Sequence, residues 1–145
     1  MHNLETCVGW LNSKSQYIYL CEKDKLIMYE KADLLFIFNF HPSQSFEHYR
    51  VGTKWASDHI VLLESDDVIF GGKERLKYGR SNFFPINKQK WNNRNNYIQL
   101  YIPSRTVMVL IAEENMDKYN LSSYFSEEFF SKRKQNILHK QELIK

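Results

Sequence analysis

A chain of 145 residues, 43% hydrophobic and 15% aromatic, is long enough for one buried core, since about two-thirds of the unfolded surface is lost from water at this size, and it has no run near the ~20 apolar residues of a membrane span. The net charge of +3 is spread along the chain apart from Lys132, Arg133 and Lys134, so the clustered basic face that nucleic acid requires is missing, and neither nucleic acid nor membrane is an expected partner. The two cysteines, Cys7 and Cys21, are too few for a disulfide scaffold, and residues 1–5 lack the basic start of a secretory leader, which makes a reducing, cytoplasmic setting the expectation.

Taken in order, residues 17–21 and 25–30 are short ring-rich or β-branched runs separated by Glu22, Lys23 and Asp24, the pattern of a hairpin. Residues 34–40 are apolar at every position but Asn39, which predicts a central strand covered on both faces. Pro42 ends it, because proline cannot donate to a ladder and holds its predecessor extended. Residues 48–53 can resume as an edge strand, residues 60–63 form another apolar run, and Ser65, Asp66 and Asp67 make the next turn. Residues 71–96 are irregular and long for a loop, which points to function or mobility. Order returns at Tyr97, with Ile98, Leu100 and Ile102 on one face, and Pro103-Ser104-Arg105 turns into the apolar strand 107–111. Every connection between neighbouring strands is too short for a parallel crossover. The fold class is therefore all-β, an antiparallel sandwich. Beyond Asn115 the period changes: Ser126 can cap a helix whose first turn holds Glu127 and Glu128, and Phe130, Ile137 and Ile144 recur at heptad spacing.

The chemistry-bearing patterns are few. No phosphate loop, dinucleotide fingerprint, His-Glu-x-x-His or Cys-x-x-Cys occurs, and His2, His41, His48, His59 and His139 never fall at zinc-ligand spacing with a cysteine, so no cofactor or metal is expected. Glu64, Asp66 and Asp67 are the best carboxylate cluster, expected to be solvated in their turn. Cys21 reads as a small core residue. The remaining signal is rings on irregular stretches: Trp55, Tyr78, Phe83, Phe84 and Trp91. A flat ring beside Asn92, Asn93 and Arg94 suits a sugar, whose axial C–H groups pack on the ring while its hydroxyls find partners. Core or interface packing is the plainer role for such rings.

Three ordered stretches carry a family resemblance: "ADLLFIFNFHPSQSFEHYRVG" at residues 32–52, "LLESDDVIFGGKERL" at 62–76 and "LYIPSRTVMVL" at 100–110. Together they resemble the C-terminal all-β domain of eukaryotic 1,4-α-glucan (glycogen and starch) branching enzymes of the α-amylase superfamily. "NLETCVGWL" at residues 3–11 resembles the lead-in from the catalytic barrel. The resemblance covers about residues 3–112 and implies a short helical lead-in at 1–14 left from the barrel connection and the β domain at 15–114; the tail at 115–145, helical by its periodicity, has no counterpart in the family and no assigned role.

It also implies retaining chemistry by a carboxylate pair held about 5 Å apart, on a (β/α)₈ barrel that this chain lacks, so no catalytic residue is carried over and the chain alone is expected to be inactive. Its implied partners are the barrel of the parent enzyme, covering Leu4, Val8, Trp10 and Leu11, and weakly bound α-glucan. The glucan-contact candidates are Trp91, Trp55 and Arg75. Arg75 matches a Gly-Gly-x-x-Arg-Leu loop of the family and is suited either to bracing the interface with the barrel or to sugar contact. The alternative is a free-standing sandwich that binds glucan or a protein without catalysis.

Overall fold

The computed structural model describes residues 5–6, 8–76, 83–121 and 142–143. The strands are β1 (Ser15–Cys21), β2 (Leu26–Lys31), β3 (Leu34–Asn39), β4 (Phe46–Thr53), β5 (His59–Glu64), β6 (Phe83–Phe84), β7 (Asn96–Ile102) and β8 (Thr106–Ala112), followed by the short helix α1 (Glu113–Lys118). Six of them form one sheet in the order β1-β2-β3-β8-β5-β6, and β4 pairs with β7 in a second. Every pairing between strands is antiparallel.

The apolar run of β3 lies at the centre of the large sheet, between β2 and β8. Successive side chains on a strand point to opposite faces, and here both faces are covered. Leu35 and Ile37 join Met28, Met108 and Leu110 in an inner core against Val51, Ile98, Leu100 and Ile102 of the small sheet. Leu34 and Phe36 join Ile60, Val109 and Ile111 in an outer cluster. Burying each such side chain stabilises the fold by about 1.5–3 kcal/mol. The sandwich thus explains one face of β3, and a thin third layer explains the other.

That third layer comes from the chain's two flanks. Val8 is buried on the outer cluster with Met116 and Leu121, and Trp10 packs beside them, its ring 5.3 Å from that of Phe36. The expectation that Val8 and Trp10 need a missing barrel to cover them is corrected: they lie on this chain's own sheet, while Leu11 stays exposed. Leu4 lies outside the described residues. The lead-in is helical at Glu5, Thr6 and Val8. Lys118 and Tyr119 donate to Asp33 at 2.6 Å each, tying the end of α1 to the β2–β3 turn. The expected tail helix from Ser126 through Ile144 lies outside the described residues except at Glu142 and Leu143.

Asn39, the polar exception in β3, is buried and closes one end of the sandwich. Its Nδ2 donates to the carbonyls of Gln44 and Pro103, both at 3.1 Å, and its Oδ1 accepts from the His41 backbone at 2.9 Å. A buried amide is stable here because its hydrogen bonds are satisfied.

Candidate functional site

Three surfaces collect the side chains that could meet a partner. The first is a hairpin tip. The backbone N–H groups of Trp91 and Arg94 donate to each other's carbonyls at 3.0 and 2.9 Å, and Asn92 and Asn93 between them take φ of 49° and 57°. Asparagine tolerates this left-handed conformation better than most residues, so the Asn-rich sequence becomes a tight two-residue turn. Gly52 on β4 makes room for it, since a Cβ there would sit 2.4 Å from the Trp91 carbonyl oxygen.

Trp91 is 39% exposed, and its Nε1 donates to the Arg50 carbonyl at 3.1 Å. The Arg50 guanidinium lies 5.0 Å from the Trp91 ring centre and 5.1 Å from that of Tyr97. Arg94 reaches the other way, donating to both oxygens of the wholly buried Glu30 at 3.1 and 2.9 Å. The tip, residues 90–95, lines an open concavity of about 510 Å³.

Trp55 and Arg75 do not join that tip. Trp55 is 7% exposed and belongs to the inner core, its ring centre 5.9 Å from that of His59, with the Lys54 ammonium 4.8 Å away. The expectation of Trp55 as a loop-borne sugar platform is therefore corrected, because its apolar faces are spent on packing. Arg75 is a clasp. Its Nε and Nη2 donate to the Asp66 carboxylate at 2.9–3.2 Å, and its Nη1 and Nη2 donate to the hydroxyl and carbonyl of Ser104 at 2.9 and 2.8 Å. This planar fork matches a carboxylate bidentately. The guanidinium binds loop to loop within the domain, a clasp internal to the sandwich rather than an open hand for sugar.

The acidic cluster also differs from expectation. Glu64 and Asp66 are buried, not solvated. Asp66 accepts the backbone N–H groups of Lys73 at 3.2 Å and Arg75 at 2.6 Å. Burial alone would raise its carboxyl, but the Arg75 side chain and these amides hold it below the ordinary carboxylate range. Glu64 is pushed up by burial and by the neighbouring acids, with the Asp66 N–H opposing. One carboxyl raised and one lowered is the pattern of an acid and base pair, yet Asp66 is consumed by Arg75 and both serve the turn. No cluster of metal-ligating residues occurs among the described residues.

The second surface is apolar. On the outer face of the large sheet the rings of Phe36, Tyr29, Phe38 and Phe40 stack in a row at 4.9, 5.8 and 5.7 Å. The first three border a groove of about 340 Å³ shared with Trp10, Val109 and Phe70. Phe40 projects from one end, and the 3₁₀ turn Val68–Phe70 projects from the rim with all three side chains about 60% exposed. The sequence marked the GlyGly loop but not the three apolar residues before it. Their adjacency to Gly71 and Gly72 was the available signal, since apolar residues at a turn seldom find a core. The third surface is a polar hollow of about 580 Å³ beside that turn, lined by serines and by Lys73, Arg75 and Arg105.

Comparison with known proteins agrees with this architecture. The family model "Alpha amylase, C-terminal all-beta domain" matches residues 13–113. A 1,4-alpha-glucan-branching enzyme of Emericella nidulans is 46% identical over 117 residues, 80% of this chain and 17% of the relative. Those of Rhizophagus irregularis and Saccharomyces cerevisiae are 44% and 47% identical over 111 and 106 residues, 76% and 72% of this chain but 16% and 15% of the relatives. The chain therefore spans 15–17% of the length of these relatives. Among the described residues no helix is long and apolar enough to cross a membrane.

Proposed function

Because the chain belongs to the alpha-amylase C-terminal all-beta domain family, we propose that it works as the non-catalytic C-terminal part of a 1,4-α-glucan branching enzyme, bracing a catalytic barrel in the cytoplasm. The observation that carries this reading is the outer face. A row of stacked rings ending in exposed Phe40, together with an apolar turn at Val68, Ile69 and Phe70, is a contiguous apolar surface of the kind that partners cover. A folded barrel from the same polypeptide is the partner whose docking buries such a face permanently. The hairpin tip at Trp91 is the proposed point of α-glucan contact, because it presents the described tryptophan that is open to solvent beside amide and guanidinium donors. The reducing compartment fits the free Cys21 thiol.

The test supplies the barrel in trans. The S. cerevisiae relative, truncated to remove the segment matched here, is mixed with this chain, and branching is followed by the iodine shift of amylose. Each piece alone is expected to be inactive or weak, the mixture active, and Phe70→Asp in this chain defective in binding the truncated enzyme by calorimetry. Absence of binding between the two wild-type pieces overturns the bracing role. Branching by this chain alone overturns its non-catalytic assignment.

A further inference from the structure

The hollow beside the Val68–Phe70 turn has an unequal supply of donors and acceptors. Three serine hydroxyls on its wall already accept hydrogen bonds: Ser45 from the Ser104 backbone, Ser65 from the Val107 backbone and Ser104 from Arg75 Nη1, each at 2.9 Å. Each keeps its own O–H proton, and none of these protons has an acceptor among the described residues. A serine hydroxyl is one donor as well as an acceptor, so the wall offers three uncommitted donors. Arg105 adds more: its Nε donates to the Pro42 carbonyl at 2.7 Å, and its terminal nitrogens have no partner among the described residues. Lys73 makes no ion pair among the described residues.

The acceptors on the wall itself are engaged. The Asp66 carboxylate is filled by Arg75 and by the backbone of Lys73 and Arg75, the Pro42 carbonyl by Arg105 and the Ser104 carbonyl by Arg75. Asp67 accepts from the Ile69 backbone through its side chain, and Glu74 is exposed nearby. The hollow thus combines hydroxyl protons with the charges of Lys73 and Arg105. Its fitting ligand has several acceptor oxygens, carries negative charge and needs no donor of its own.

We infer that this hollow binds a phosphoryl group, with Lys73 and Arg105 neutralising it and the serine hydroxyls donating to its oxygens. The group can come from inorganic phosphate or from a hexose phosphate. Phe70 stands on the rim, 59% exposed, and gives a flat apolar face to a sugar attached to that phosphoryl group. The loop amides bind Asp66 and not the ligand, so binding through side chains at an open site is weak; it is separate from the Trp91 tip and shares Phe70 with the proposed barrel-docking face.

The test is an amide NMR titration of the whole chain at constant ionic strength with inorganic phosphate, glucose 6-phosphate and maltose. The expected result is that both phosphates shift resonances of Ser45, Lys73, Ser104 and Arg105, and that maltose does not. Lys73→Gln with Arg105→Gln should raise Kd by roughly tenfold or more, since charge-assisted hydrogen bonds are lost, with the amide spectrum elsewhere unchanged. Tighter binding of glucose 6-phosphate that Phe70→Ala abolishes assigns the sugar ester; equal binding of the two phosphates assigns the phosphoryl group alone. Equal shifts with sodium chloride, shifts with maltose at the same residues, or phosphate binding unaffected by the double variant each overturn the inference.

Discussion

Glu30 and Arg94 stand 64 positions apart in the chain and meet in a two-pronged ion pair, 3.1 and 2.9 Å, across the space between the two sheets. Glu30 is wholly buried, with Lys54 near at 4.0 Å and the Lys54 backbone N–H donating to it at 3.3 Å. Removing one partner of a buried pair leaves an uncompensated charge, whereas lysine in place of Arg94 keeps the charge and loses only the planar fork. Arg94→Ala should therefore cost about 3 kcal/mol, and Arg94→Lys less, in urea unfolding. Equal and small losses for both would show that the pair does not hold the hairpin to the sheet.

Two glycines in the Asp66 loop make different demands. At Gly72 an added Cβ would lie 2.0 Å from the Asp66 carbonyl carbon and oxygen, whereas at Gly71, with φ of +78°, nothing lies within 4 Å. Substitution at Gly72 meets backbone that cannot yield, and at Gly71 it meets only the left-handed conformation, worth roughly 1–2 kcal/mol. Gly72→Ala should then be the more destabilising by thermal unfolding, and Gly71→Asn nearly neutral. The opposite order would refute the close approach of residue 72 to Asp66.

His59 should make stability depend on pH. Burial pushes its pKa down to about 4, against the opposing Ser57 carbonyl and Asp58 charge. Its Nδ1–H donates to Ser57 at 2.9 Å, so Nε2 accepts from the Thr53 hydroxyl at 2.9 Å, a neutral ring with both nitrogens used. The unfolded ring takes its proton near pH 6.5. Between about 6.5 and 4 the unfolded state therefore binds more protons, and stability falls as pH falls. The loss attributable to this ring is of order 3 kcal/mol. His59→Gln should flatten that part of the stability curve relative to the wild type, and superimposable slopes would exclude His59 as its source.

β3, β5 and β8 could be read from runs of apolar residues, because a strand covered on both faces advertises itself locally, and β7 could be read from its alternation. Glu30 falls in phase with the buried Leu26 and Met28 on the inner face, a place where an acidic side chain needs a partner. What rescues it is Arg94, and only tertiary pairing could identify that partner. Asp66 was misjudged for the same reason: a Ser-Asp-Asp turn is usually solvated, and here Arg75, nine positions on, folds back over it. Trp55 and Trp91 are both tryptophans followed or preceded by polar residues. Nothing local tells which ring turns inward; the packing of His59 and the course of β4 decide it.

That difference between the two tryptophans yields the last prediction. Trp55 fills the inner core, so Trp55→Ala removes a large packed ring and should cost about 3–5 kcal/mol of stability. Trp91 is held at the surface by one hydrogen bond and the Arg50 contact, so Trp91→Ala should cost roughly 1 kcal/mol or less, the scale of a single exposed cation–π contact. If the tip meets glucan, a calorimetric or NMR titration with maltoheptaose should show weak binding by the wild type, on the order of millimolar or ~4 kcal/mol for one ring platform. Trp91→Ala should abolish it while the far-ultraviolet circular dichroism stays unchanged. A folded Trp91→Ala variant that binds maltoheptaose as the wild type does removes the tip as the glucan site. A wild type that binds none leaves the hairpin as a structural clamp between the two sheets.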